Sequence, residues 1–243
     1  MSKHSHWATI KRKKEISDKK RGQIFSKILR MIAVAAKGGT DLKTNPKLRL
    51  AIEKARDFNV PKETLERAIK KGGGEIEGQA MEEFLYEAYG PGKVAILIEG
   101  ITDNKNRALN EIKKILEKNQ GKLVTPGSIK WMFERKGYIA INLKSQIPNF
   151  QKKEELEMLA IETGAEDLHW SDDILEIYTK PENLENVKKN LENRGIKIED
   201  TSLDWIAKEE IKVNEEEKIA IQKLFEDLDE SEEVQEIYSN LKI

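Results

Sequence analysis

The chain has 243 residues, 38% of them hydrophobic and 36% charged, with no cysteine. That length exceeds a usual single domain, and the modest apolar content suits several small cores rather than one large one. The lack of cysteine excludes a disulfide framework, thiolate metal sites and a cysteine nucleophile, and no apolar run approaches the ~20 residues of a membrane span. The net charge of −1 conceals a division: residues 1–71 carry 20 Lys and Arg against 7 Asp and Glu, a net of +13, while the remainder carries 23 against 37, a net of −14. Such asymmetry points to a polyanion partner for the basic part.

Residues 1–22 are dense in Lys and Arg, with Trp7, Ile10 and Ile16 as the main apolar side chains. Alone they cannot bury enough surface to fold firmly, which predicts a mobile arm or a helix docked on a partner. From Ile24 the apolar residues Ile24, Phe25, Ile28, Leu29, Ile32 and Ala36 recur at helical spacing until Gly38-Gly39 stops the run. Asn45 and Pro46 form a cap and first turn for a second helix, with Leu48, Ala51, Ile52 and Ala55 inward. A third starts at Pro61, buries Leu65, Ala68 and Ile69, and ends at Gly72-Gly73-Gly74, where a linker begins. These short helices with short connections predict a small bundle.

The period then changes to that of strands, predicted at 84–89 and 94–101 around the turn Gly90-Pro91-Gly92. A helix follows at 104–119, with Leu109, Ile112, Ile115 and Leu116 inward, then a strand at 128–134. The next pattern is strand 138–143, helix 153–163, strands 165–170 and 174–178, helix 181–193 and strand 196–200. This is the order of a ferredoxin-like split βαβ unit. Beyond it lie a strand near 203–207, a helix at 215–228 capped by Asn214 with Glu217 three residues on, and a strand near 234–241. This last trio has no complete core of its own and is expected to complete the sheet begun at Phe84. The expected class is α+β with three domains: basic arm and helical bundle at 1–75, an α/β domain at 80–136 plus 201–243, and an inserted ferredoxin-like α/β domain at 137–200.

The strongest chemical signal is the basic arm. Long cationic side chains at close spacing suit phosphates, and each contact releases condensed counterions without reading sequence. Lys11, Arg12, Lys13, Lys14, Lys19, Lys20 and Arg21 supply them, and Trp7 among them can stack on an unpaired base. The alternatives are a solvated tail or an arm salt-bridged to the acidic body of the same protein. His4 and His6 form a pair, but His169 is the one other histidine, so no metal site is expected. Gly72-Gly73-Gly74 lacks the Gly-Lys-Ser/Thr of a phosphate loop. The run from Asp103 to Arg107 lacks the glycine and acid of a calcium loop, at Ala108 and Lys114, and reads as a helix cap by Asp103 or Asn104. The carboxylates Asp172, Asp173, Glu230, Glu232 and Glu233 lie on polar stretches that read as solvated surface, and there is no Gly-x-Ser-x-Gly elbow. No enzyme chemistry and no cofactor are expected.

Several blocks, in order along the chain, resemble the YebC/PmpR family: His4-Ser5-x-Trp7-Ala8-x-Ile10-Lys11, then the runs at 18–27, 45–55, 59–72, 86–92, 102–107 and 127–133. The chain departs from the family pattern at Lys3, His6, Arg12, Ala88 and Lys93, where the family usually has Gly, Lys, His, Gly and Gly. The resemblance implies three domains and a cytoplasmic regulatory protein without catalytic activity. Family members are described as probable DNA-binding transcriptional regulators, while the mitochondrial translational activator of cytochrome c oxidase acts on translation.

The functional expectation is a non-enzymatic regulator that binds nucleic acid. Lys3, His4, Trp7, Lys11, Arg12, Lys13, Lys14, Lys19, Lys20, Arg21, Lys27 and Arg30 are expected to grip DNA or ribosomal RNA. The ribosome and a protein partner on the acidic domains are further expected partners, with no membrane partner. The first residues have no apolar leader core, so a cytoplasmic location is expected.

Overall fold

The structure, a computed structural model, describes residues 18–77, 79–146 and 153–242. They divide into two compact units, one holding residues 18–128 and Val213–Ile237, the other Ile129–Lys212 and 238–242. The architecture is α+β, with two four-stranded sheets.

The first unit opens with three helices, α1 (Asp18–Ala36), α2 (Pro46–Asp57) and α3 (Lys62–Gly72). Their cores meet through Ile28, Ile32, Leu48, Ile52, Ala55 and Leu65, all buried. The Asn45 side chain accepts from Leu48 N at 3.0 Å and so caps α2. Its amide also donates to the carbonyls of Ala35 and Gly39, each at 2.7 Å, which ties the end of α1 to the start of α2. α1 begins earlier than the apolar periodicity predicts, because its first turn is polar and carries no inward apolar residue.

The first sheet contains β1 (Glu82–Tyr89), β2 (Ala95–Thr102), β3 (Lys122–Leu123) and β8 (Val234–Ser239), in the order β3-β1-β2-β8. β1 and β2 are an antiparallel hairpin joined through Gly90, Pro91 and Gly92. α4 (Lys105–Lys118), capped by the Asn104 side chain, links β2 to β3. α7 (Glu215–Asp229) carries a full capping box between Asn214 and Glu217 and packs against α4. Ile112 and Leu116 of α4 and Ile221, Leu224 and Leu228 of α7 are completely buried.

The second unit contains β4 (Phe133–Asn142), α5 (Lys153–Thr163), β5 (Asp167–Ser171), β6 (Ile174–Thr179), α6 (Leu184–Asn193) and β7 (Asp200–Ala207). Its sheet has the order β5-β6-β4-β7, antiparallel throughout, which is the ferredoxin-like arrangement. Ile139, Ile141, Leu175 and Ile177 face Leu156, Ala160, Val187 and Leu191 of the two helices.

Three expectations are corrected here. Of the strand predicted at 128–134 only Phe133 and Glu134 are extended, and they run unbroken through Arg135, Lys136 and Gly137 into the strand predicted from 138, as one strand, β4. The strands predicted at 196–200 and 203–207 are likewise replaced by one, β7, with residues 196–199 outside regular structure. β7 pairs with β4 from Phe133↔Ala207 to Ala140↔Asp200, so it closes the second sheet and does not join the sheet begun at Phe84. Of the last trio, α7 and most of β8 belong to the first unit.

Candidate nucleic-acid interface

Of the predicted phosphate-gripping residues, Lys3, His4, Trp7, Lys11, Arg12, Lys13 and Lys14 lie outside the described residues. Lys19, Lys20 and Arg21 fall in the first turn of α1. The remaining two, Lys27 and Arg30, lie further along α1. Lys27 is 6% exposed, and its ammonium donates to the Asp229 carbonyl at 2.8 Å and to Asp229 Oδ1 at 2.9 Å. Arg30 donates from Nη1 to the Ile101 carbonyl at 3.3 Å and from Nη2 to Glu232 Oε2 at 3.2 Å. Lys27 thus ties α1 to the last residue of α7, and Arg30 ties it to β2 and to Glu232 just after α7.

The bundle shows a different set of outward cations. Lys37, Lys43, Lys47, Arg56, Lys62, Arg67 and Lys70 are exposed. They surround the polar sides of α2 and α3 and the turns between helices, with Asp41, Asp57, Glu63 and Glu66 exposed among them. Lys62 and Glu66 form a loose surface pair at 3.7 Å, of the kind that contributes little to stability. Lys54 is turned instead to Glu236 at 3.6 Å, and Arg49 donates to the Leu42 carbonyl at 3.0 Å. An open hollow of about 340 Å³ lies beside the bundle, with Lys37, Lys71, Gly72, Gly74 and Glu77 among its walls. Ala33, Ile76, Ala80 and Met81 also line it.

Sequence reasoning passed over the cations of α2 and α3 because the arm is so much denser in charge. The helical period was the usable signal: Arg67 and Lys70 fall on the side opposite the buried Leu65, and Lys47 and Arg56 flank the face of Leu48 and Ala55.

Of the acids expected on solvated surface, Asp172, Glu230 and Glu232 are exposed, and Glu233 is the exception. Glu233 is 4% exposed and takes the Arg107 guanidinium, which also donates to Asp103 Oδ1 at 2.6 Å. These two carboxylates raise the Arg107 pKa further, Glu233 foremost. In the second unit Glu176 and Asp204 are buried within the sheet. Tyr178 donates to Glu176 Oε2 at 3.0 Å, and burial holds its hydroxyl far above the ordinary tyrosine range. Burial likewise lowers the pKa of His169. Among the described residues no group of three or more His, Cys, Asp or Glu is placed to hold a metal ion. No described helix is long and apolar enough to cross a membrane.

Family models place the chain among known sequences. One described as the TACO1/YebC protein N-terminal domain matches residues 5–75, and one described as the TACO1/YebC second and third domain matches residues 81–241. A probable transcriptional regulatory protein of Halothermothrix orenii is 44% identical over 100% of this chain and 96% of its own length. A relative of the same description from Kosmotoga olearia is 45% identical over 100% of this chain and 95% of its own. The crystal structure of a conserved hypothetical protein from Aquifex aeolicus is similar with a TM-score of 0.89 at 43% identity, covering 98% of this chain and 97% of that one. Matched by both family models and by relatives over its whole length, the chain belongs to the TACO1/YebC family.

Proposed function

We propose that the protein is a non-enzymatic regulator that binds DNA through its first 71 residues. The observation that carries this reading is the charge division, +13 against −14, together with the outward cations of the bundle. The basic arm, from Lys3 to Arg21, contacts phosphates on one side of the duplex. Lys47, Arg56, Arg67 and Lys70 extend that contact along the bundle. Phosphate contacts carry no sequence information, so selection among sequences works through shape and backbone geometry. The names of the relatives, which refer to transcriptional regulation, support DNA as the target. The TACO1/YebC family also reaches into translation. The long basic stretch ahead of a small bundle supports a second reading, in which the arm enters a ribosomal RNA site and Trp7 stacks there.

A competition titration at ~0.15 M salt separates the two. Labelled promoter DNA is displaced by unlabelled random DNA or by ribosomal subunits, with the full chain and with a chain lacking residues 1–22. DNA that survives random competitor and is not displaced by ribosomes supports the first reading. Displacement by ribosomes far below the random-DNA concentration, lost with the arm, supports the second. The double variant Arg67→Gln, Lys70→Gln lowers the slope of log affinity against log salt by about 0.9 for each phosphate contact removed. An unchanged slope removes the bundle from the interface.

A further inference from the structure

Trp131 is the most exposed large hydrophobic side chain among the described residues, with 67% of its surface open. It sits in the short helical turn Lys130–Met132 that leads into β4. Ile129 and Phe133, on either side, are 0% and 3% exposed, and both point inward. Met132 N donates to the Ile129 carbonyl at 2.9 Å, and Lys208 N donates to the Met132 carbonyl at 2.9 Å. The turn is therefore fastened at both ends, and the indole between the two anchors is held outward.

A single exposed apolar residue needs no explanation by itself, but this one follows Lys130 directly in the chain, and Lys130 is held on a second indole. Lys130 Nζ lies 5.0 Å from the centre of the Trp205 ring, and the Arg135 guanidinium carbon lies 5.2 Å from it. Arg135 and Trp205 are directly opposed in the β4–β7 register. One indole thus positions two positive charges, and the residue after Lys130 presents a second indole to solvent. Lysine is depleted in the cores of protein–protein interfaces, so Lys130 beside the indole favours a polyanion. Indole beside fixed positive charge is the chemistry of a stacked base with its phosphate held alongside.

We propose that Trp131, with Lys130 and Arg135 held on Trp205, is a stacking site for an unpaired base of single-stranded nucleic acid. It rests on the nucleic-acid reading above and adds a preference the arm cannot supply. Phosphate contacts from the arm do not separate paired from unpaired strands, whereas an indole reaches a base face once the base is out of its duplex.

The test uses the full chain and its variants Trp131→Ala and Trp131→Phe at ~0.15 M salt. Binding is measured to a short labelled single-stranded RNA, to the same sequence as a duplex, and to a strand of abasic residues. Trp131→Ala is expected to weaken single-strand binding by about tenfold or more, and Trp131→Phe to retain most of it, as base–aromatic stacking predicts. Duplex and abasic binding stay unchanged in both variants. Single-strand binding by Trp131→Ala equal to wild type, or an equal loss on all three probes, overturns the site and leaves the DNA reading standing. If the wild type binds none of the three probes, the nucleic-acid reading falls and the site falls with it.

Discussion

Lys27 holds Asp229 twice, with its ammonium 2.9 Å from the carboxylate and 2.8 Å from the main-chain carbonyl of the same residue. The lysine side chain is 8% exposed and the aspartate 22%, so the pair is largely shielded from water. Removing one partner strands the other. Asp229→Ala is expected to cost about 1.5–3 kcal/mol, the range for hydrogen bonds to charged groups. Lys27→Met keeps the packed stem and costs less. Urea unfolding of both single variants and the double variant gives the coupling between them. Lys27→Met is also expected to leave DNA affinity unchanged, which a phosphate-gripping lysine does not do.

Gly72 ends α3, but its place is fixed by a neighbour as well. A Cβ there would run into the Ala33 carbonyl and come within 2.7 Å of Ala36 Cβ, both on α1. Gly72→Ala therefore pushes α1 and α3 apart, and overpacking of this kind costs about 1–3 kcal/mol. Gly74→Ala is the contrasting variant, since space is open there and the penalty comes from a φ of +82° alone. A Gly72→Ala chain as stable as wild type by thermal unfolding would remove the close approach.

Lys93 adopts a φ of 59°, the left-handed region where a side chain crowds its own backbone. The family usually has glycine there, as the resemblance indicates. Lys93→Gly relieves that strain against the entropy glycine adds to the unfolded chain, and the balance is a gain of about 1 kcal/mol. A higher melting temperature is the expected reading.

Asp227 accepts from Asn119 Nδ2 at 2.9 Å and from Lys118 Nζ at 3.0 Å. These bonds, with Asn119 first, hold its carboxyl below the ordinary aspartate value. A depressed folded pKa means that the unfolded chain takes up the proton first. The stabilisation is thus complete above the ordinary aspartate pKa of about 4 and is lost as pH falls through it towards the lower folded value. Asp227→Asn is expected to flatten that part of the acid limb while leaving the slope near neutral pH unchanged. Denaturant midpoints measured across the acid range decide it.

Local signals predicted their elements well. The caps at Asn45, Asn104 and Asn214 are all where short polar side chains precede an apolar period, and each accepts the expected backbone proton. Signals that depend on a distant partner were not legible. Arg135, Lys136 and Gly137 read as a break because no alternation survives them. In the fold Arg135 stacks on Trp205, Lys136 pairs with Glu166 at 3.0 Å, and Gly137 leaves room for Leu184. The same holds at the candidate interface. Charge density located the basic first 71 residues, yet Lys27 and Arg30 bond to acids some two hundred residues later.

The facing of Phe133 and Ala207 across β4 and β7 means that the chain leaves the second sheet beside the point where it entered. Strand neighbours are about 5 Å apart, a gap a tight turn can bridge. The ferredoxin-like segment is thus a parenthesis in the chain. Cutting it out and sealing the ends asks little loop-closure entropy of the remainder. Its size and surface are free to diverge wherever they do not meet residues 238–242, which belong to the same unit.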